Sequence, residues 1–253
     1  CFALFKKQSI HFNYKGFKLS FTTIKQIFSV GIAVTIVNSI NSISTIILNK
    51  VFEKASIKIN NEQVNVGATI LGTYFKLQSF IFMPIFGMNQ GIMPILGYNY
   101  GAKKANRFNK TFIFALIFAL AIMTFGLIMF QTIPGQLLSI LSITDTMKPF
   151  GIVALRTISL CFFAAAGNII VSSVYQAIGH GFKSAALNLL RQAFILIPLA
   201  TLISFFTKNI NLVWIAFPVA EWLCLGIFIP ITIMTLKKVN KHMNNHVITE
   251  NAR

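Results

Sequence analysis

The sequence has almost no acid. Glu53, Glu62, Asp145, Glu221 and Glu250 are its only carboxylates in 253 residues. Charge of either sign is scarce, at 11% of residues, where a soluble domain carries about 25%. An ordinary soluble class is thereby excluded. Cysteine is nearly absent too: Cys1, Cys161 and Cys224 suggest no disulfide framework. The four histidines, His11, His180, His242 and His246, fall in expected loops or tails. Glu221 has no second carboxylate within its run, so neither a His-rich metal set nor a carboxylate pair is available for catalysis. Gly181-Phe-Lys183-Ser184 lacks the Gly-Lys-Ser adjacency of a phosphate-binding loop, and no run has a signal-peptide layout. These absences exclude an enzyme and imply no cofactor.

What is present is apolar. Hydrophobic residues make up 55% of the chain, Phe alone occurs 26 times, and the mean hydropathy is +0.73. Six apolar runs, at 24–51, 66–96, 111–133, 150–178, 185–206 and 212–236, each approach the ~20 residues that cross a bilayer. The expected fold is therefore an all-α membrane protein with six transmembrane helices. Its expected organisation is a basic connector at 1–23, a six-helix lobe at 24–236 and a basic tail at 237–253. The second run exceeds a straight crossing, which predicts tilt, protrusion or a kink at Pro84 or Pro94. The chain opens on Cys1-Phe-Ala-Leu-Phe-Lys-Lys without Met, which reads as the end of another membrane helix and predicts an upstream span.

The formal charge of +17 does not point to nucleic acid, because the bases lie between apolar runs rather than on one soluble face. Lys6, Lys7, Lys15, Lys18 and Lys25 precede or open the first run. Lys103, Lys104, Arg107 and Lys110 follow the second, Lys183 and Arg191 the fourth, and Lys237, Lys238, Lys241 and Arg253 the sixth. The opposite links carry fewer bases, mainly Lys54, Lys58, Lys148 and Lys208, alongside Glu53, Glu62 and Asp145. The positive-inside rule then places both termini in the cytoplasm. The same bases suit anionic lipid head groups, so membrane lipids are expected partners.

From Met83 to Lys104 an apolar span carrying Pro84, Gly87, Gly91, Pro94 and Gly97, with the amides of Asn89 and Gln90, runs into the basic Gly97-Tyr-Asn-Tyr-Gly-Ala-Lys-Lys. Backbone freed by Pro and Gly inside a bilayer must find partners in protein or water, as in a solute pathway. This segment is read as a broken helix followed by a short basic loop, and the chain as part of a transporter. Gly87 and Gly91 also form a small-x-x-x-small pair suited to close helix packing, with bending during transport a further use.

The segment Pro84-x-x-Gly87-x-x-Gln90-Gly91-x-x-Pro94-x-x-Gly97-Tyr98-Asn99-Tyr100-Gly101-Ala102-Lys103 resembles the motif of MATE (multidrug and toxic compound extrusion) transporters. Gln176-Ala177-x-Gly179, Arg191 with Pro198, and Trp214-x-Ala216-x-Pro218-x-x-Glu221 are similar to that family as well. The resemblance runs from about Phe17 to Lys238. It implies one lobe, the second, of a twelve-helix pseudo-twofold transporter whose N-terminal lobe is missing from this chain. It further implies export of organic cations or drugs in exchange for Na⁺ or H⁺ by alternating access, at the cell membrane. One branch of the family places acids on the helices matching the first and fourth spans. Here those helices carry Asn38, Ser39, Asn41 and Asn168, so the coupling ion would be taken by Glu221 or by the missing lobe.

Glu221 lies about ten residues from either end of its run, near the midplane at 1.5 Å per residue. A central charge costs about 2.5–3.5 kcal/mol on insertion scales and so faces a polar cavity or a partner. It is read either as the exchanger of proton or Na⁺ for a cation, or as a paired acid tying helices together. Lys76 is the other deep charge, able to pair with Glu221 or to snorkel. Arg156 and Arg191 lie near span ends and are read as anchors. Asn38, Asn41, Gln78, Asn89, Gln90 and Asn168 are expected to line a cavity as a set, although each alone could equally bond between helices. A flippase or exporter of a lipid-linked or other metabolite in a related fold is the alternative function. It would use cavity-facing bases for phosphate, for which only Lys76, Arg156 and Arg191 qualify.

Overall fold

The computed structural model describes residues 20–54, 57–59, 62–64, 66–207 and 209–251. Helix α1, Phe21–Lys54, covers the first expected run in one piece of 34 residues. A hairpin follows, β1 (Ile57–Ile59) antiparallel to β2 (Glu62–Val64), with Ile57 opposite Val64 and Ile59 opposite Glu62. The sequence reading expected only a polar link here. Period-two alternation is too short over three residues to stand out.

Helix α2, Val66–Gly101, continues through both Pro84 and Pro94. The expected broken helix is thus corrected to an unbroken one, and the basic loop shrinks to the turn after Gly101. Both prolines are exposed. Each removes one backbone bond, while the remaining bonds carry the helix past it. The turn closes with Lys104 N–H donating to Asn99 O at 2.9 Å and Lys103 N–H to Tyr100 O at 3.1 Å. Lys103 takes the left-handed φ of 57° that such a terminus requires.

Helix α3, Ala105–Thr132, returns across the lobe, and α4, Pro134–Ile140, starts on a proline. The fourth expected run divides into α5 (Lys148–Ser159) and α6 (Phe162–Ala177), bent by 50° at the break. Two neighbouring side chains hold that break. Gln131 Nε2 donates to Arg156 O at 3.0 Å and to Ser159 Oγ at 2.8 Å, and Trp222 Nε1 donates to Leu160 O at 3.2 Å. Carbonyls released by a bend need such partners, because the bilayer interior supplies none.

Helix α7 (Gly181–Leu189) widens into a π-helical stretch, Leu190–Leu196, and continues as α8, Ile197–Thr207. Pro198 accounts for this. Its ring crowds the carbonyl four residues back, and here the preceding turn relieves that crowding by widening, where α2 passes its prolines without doing so. The short α9 (Ile210–Val213) leads into α10, Ala216–Asn251. The tail expected from 237 onward is therefore helical as far as Asn251.

Among the described residues four helical stretches are long and apolar enough to cross a membrane: Val66–Gly101, Ala105–Thr132, Gly181–Thr207 and Ile210–Met243. The bent pair α5–α6 would make a fifth. The first expected run lies on α1, many of whose side chains are outside the described residues.

Two apolar clusters fill the interior. The larger gathers Phe52, Tyr74, Ile81, Phe162 and Trp214, with Phe52 stacked on Trp214 at a ring separation of 4.1 Å. The smaller gathers Leu96, Phe108, Tyr175, Cys224, Phe228 and Met243. Gly126 lets α3 approach closely, since a Cβ there would come within 2.7 Å of Ile81 Cγ2 and 3.1 Å of Phe162 Cε2. Gly97 similarly lets α2 meet α6, 3.3 Å from Ala177 O. Gly87 and Gly91 do not pack in this way: both are exposed, and a Cβ at either meets nothing within 4 Å. The expected packing pair therefore makes no contact within the lobe. Gly126→Val should lower the thermal stability of the detergent-purified protein by about 1–3 kcal/mol through overpacking. Gly87→Ala should leave it level or raise it, as Ala is the better helix former. A thermal melt of the two variants beside the parent measures both effects.

Candidate functional site

The two apolar clusters meet where α6 and α10 pass from one to the other. On α6, Ile170 belongs to the larger cluster and Val171 to the smaller; on α10, Ala220 and Cys224 divide in the same way. Asn168 and Glu221 sit at this junction. Asn168 Nδ2 donates to Glu221 Oε2 at 2.7 Å and to Glu221 O at 3.1 Å. Arg191 Nη1 donates to the other carboxylate oxygen, Oε1, at 2.7 Å. The ion pair is largely buried, with side-chain exposures of 18% for Arg191 and 16% for Glu221.

Arg191 lies within the π-helical stretch, so the widening before Pro198 also sets where the guanidinium stands. The reading of Arg191 as a membrane anchor is corrected: it is the partner of Glu221. Position within the span suggested an end, but the cost of an unpaired carboxylate at this depth outweighs snorkelling. Lys76 does not pair with Glu221. It is exposed on α2, and the described ion pairs are Arg191–Glu221 and Lys148–Asp145. The second pair lies in the loop before α5, where the Lys148 ammonium holds the Asp145 carboxyl below its usual range.

From Arg191 a polar thread continues along the lobe. Arg191 Nη2 donates to Asn188 Oδ1 at 3.3 Å, and Asn188 Nδ2 donates to Ser172 Oγ at 3.2 Å and Ser184 O at 2.9 Å. The Ser172 and Ser184 hydroxyls share a bond of 2.6 Å, and Gln176 Nε2 donates to Ser184 Oγ at 2.9 Å. The thread thus links the buried carboxylate to the turn between α6 and α7. Two atoms beside the carboxylate have no hydrogen-bond partner, Asn168 Oδ1 and Arg191 Nε. One is an acceptor and the other a donor, so this cluster retains bonding capacity for water, a proton carrier or a ligand group. Sequence reasoning missed Asn188, Ser172 and Ser184. The signal was present in Ser184, Asn188 and Arg191, which fall at i, i+4 and i+7 on one helix face.

The remaining expected residues divide between inside and outside. Asn89 is buried within the lobe, with its Oδ1 lacking a partner. Gln78 is half-buried on α2. Asn41 is exposed, and its carbonyl accepts from Thr45 Oγ1 at 2.9 Å. The side chain of Asn38 lies outside the described residues. On α2, Lys76, Phe80, Met83, Gly87, Gln90, Pro94 and Tyr98 recur every three or four residues and are exposed. They form one uncovered helix face, while Ile85, Asn89, Leu96 and Asn99 are buried in the lobe. Of the residues that distinguish the 83–104 segment, Pro84, Gly87, Gln90, Gly91 and Pro94 therefore face outward, while Asn89 faces the core and Gly97 packs close to Ala177. Among the described residues no cluster of three or more His, Cys, Asp or Glu side chains comes together as a metal site would require.

Residues 63–202 match the profile of the MatE family. The chain belongs to the MatE family. Its fold is similar to that of solved MATE transporters, each at 20% identity. An outward-facing multidrug resistance MATE family transporter of the MOP superfamily superposes with a TM-score of 0.80, covering 90% of this chain and 49% of that one. A MATE in the bent conformation gives 0.82, covering 94% and 51%. A MOP superfamily transporter from Pyrococcus furiosus, described by a reverse polarity of its binding pocket suggesting a different function, gives 0.82, covering 94% and 52%. This MatE chain spans about half the length of the structures it matches. No curated protein matches its sequence. Family and fold together make it part of a multi-pass membrane protein with the helical architecture of MATE transporters.

Replacing Arg191 by Met strands the Glu221 carboxylate and should destabilise the protein by about 3–5 kcal/mol. The double variant Arg191→Met/Glu221→Met should recover part of that loss. Thermal melts of the four proteins in one detergent give the coupling directly.

Proposed function

We propose that this chain forms one lobe of a secondary antiporter that exports organic cations in exchange for Na⁺ or H⁺ by alternating access. The observation that supports it best is the Glu221–Arg191–Asn168 cluster at the meeting of the two apolar cores. A carboxylate at membrane depth is costly to keep and gains a purpose where a cation must be taken up and released. Here Arg191 occupies the carboxylate, so an incoming proton, Na⁺ or cationic substrate competes with an internal counterion. Such competition supplies the difference in affinity between two states that alternating access requires.

The uncovered face of α2 would line the cavity against the other lobe, with Gln90 and Tyr98 offering polar contacts beside the apolar Met83. Pro84 and Pro94 on the same surface would permit bending as the cavity opens and closes. Positive-inside asymmetry supports cytoplasmic termini at the cell membrane.

One observation favours a second reading. The uncovered α2 face carries Lys76, and among its exposed residues there is no carboxylate. A lipid-linked or other anionic metabolite would suit such a surface better than a cation. Ethidium accumulation in cells expressing the full-length gene separates the two. Export of cations predicts accumulation below that of empty cells, with a dependence on the Na⁺ gradient if Na⁺ is the coupling ion. Glu221→Gln should abolish or strongly weaken that export while the protein still reaches the membrane. Unchanged accumulation by membrane-inserted parent protein would favour the anionic substrate, and full export by the Glu221→Gln variant would remove Glu221 from the mechanism.

A further inference from the structure

Beside the α6–α7 turn, midway along α10, the structure holds a cleft of about 340 Å³ that the transport reading does not use. Its lining includes His180 and Lys183 from the start of α7 and Ile231, Met234, Thr235 and Lys238 from α10. The four α10 residues fall at i, i+3, i+4 and i+7 and so share one helix face. No carboxylate lines the cleft.

Lys183 and the turn that carries His180 are held in place by their neighbours. The turn carrying His180 closes with His180 N–H donating to Tyr175 O at 2.8 Å and Gly179 N–H donating to Gln176 O at 3.1 Å. Gly179 there takes a left-handed φ of 78°, which a glycine adopts without penalty. Lys183 Nζ lies 5.7 Å from the Tyr175 ring centroid and 3.5 Å from Thr235 Oγ1. The Tyr175 hydroxyl is in turn bonded to Thr232 Oγ1 at 3.0 Å. Helix α7 begins beside the cleft with no side-chain cap on its first turn, an end that favours negative charge. Beside these polar groups Ile231 and Met234 expose 40% and 61% of their surface. One wall is thus cationic and the other apolar.

Depth assigns the occupant. Lys238 stands 17 residues beyond Glu221 on α10, about 25 Å along the helix, with a hydrocarbon core about 30 Å thick overall. That distance carries Lys238 from membrane depth to the level of lipid head groups. We propose that this cleft is a binding site for an anionic phospholipid, whose phosphate is held by Lys183 and Lys238 with His180 beside them. The glycerol end of its acyl chain lies along Met234 and Ile231, which lead from head-group level toward the hydrocarbon core. The combination selects a lipid over a soluble phosphate, because free phosphate gains nothing from the apolar wall. The site lies apart from the Glu221 cluster and does not rest on the substrate or the coupling ion.

The test uses the full-length protein, delipidated in neutral detergent and titrated with dioleoyl phosphatidylglycerol while bound lipid is counted by native mass spectrometry. One saturable lipid is expected. Lys183→Gln/Lys238→Gln should weaken it by roughly tenfold or more, from the loss of two ammonium contacts. Lys238→Gln alone, at an exposed position that folding does not need, should weaken it by a smaller measurable factor. Lys103→Gln/Lys104→Gln removes equal charge elsewhere and should leave this binding unchanged. Equal losses from the two double variants, equal binding of phosphatidylcholine, or full displacement by excess inorganic phosphate would each overturn the proposal. The last of these would assign a free-phosphate site instead. If Lys183→Gln prevents folding, unchanged binding in Lys238→Gln overturns it.

Discussion

A carboxylate and a guanidinium at membrane depth must hold each other, and much of this lobe is arranged so that they can. Leaving either charge unpaired in a medium without water costs several kcal/mol. Glu221 on α10 and Arg191 on the α7–α8 stretch therefore fix how those two elements face one another, with Asn168 on α6 as the third contact. The π-helical turns before Pro198 belong to the same requirement, because they set the stretch from which Arg191 reaches across. The clusters of apolar side chains on either side lower the local polarity around the pair and make the pairing matter more.

The same constraint explains why polar side chains in this MatE chain occur in linked sets. Asn188, Ser172, Ser184 and Gln176 bond to one another and continue from Arg191 toward the α6–α7 turn. Gln131 and Trp222 serve the carbonyls exposed where α5 meets α6. Set against these satisfied groups are buried atoms with capacity left, among them Asn168 Oδ1 and Arg191 Nε beside the carboxylate and Asn89 Oδ1 on α2. The uncovered face of α2 is the complementary surface, turned away from the lobe's own core.

Much of the fold was legible in the sequence because apolar length is a coarse and strong signal. The runs at 66–96, 185–206 and 212–236 lie within the helical stretches that are long and apolar enough to span, and the run at 111–133 does so but for its last residue. The run at 150–178 carried no mark of its 50° bend. Neither residue at the break, Leu160 or Cys161, is a helix breaker, and the partners that hold it come from α3 and α10. Glu221 was legible as the one acid inside a span, yet its partner was not. Arg191 lies near the edge of its run, and only the fold brings 191 beside 221. The 83–104 segment was legible as special from its Pro, Gly and amide content. Its continuity as a helix and its outward face depend on which side α3 and α6 cover, which no local pattern states.

Infrared difference spectroscopy of the full-length protein in lipid, recorded on adding ethidium, tests most directly whether the Glu221–Arg191 pair is the moving part. The account predicts a change in the carboxylate bands on substrate addition that disappears in Glu221→Gln. Carboxylate bands that stay constant while ethidium demonstrably binds would contradict it, and would leave the pair as a fixed tie between helices.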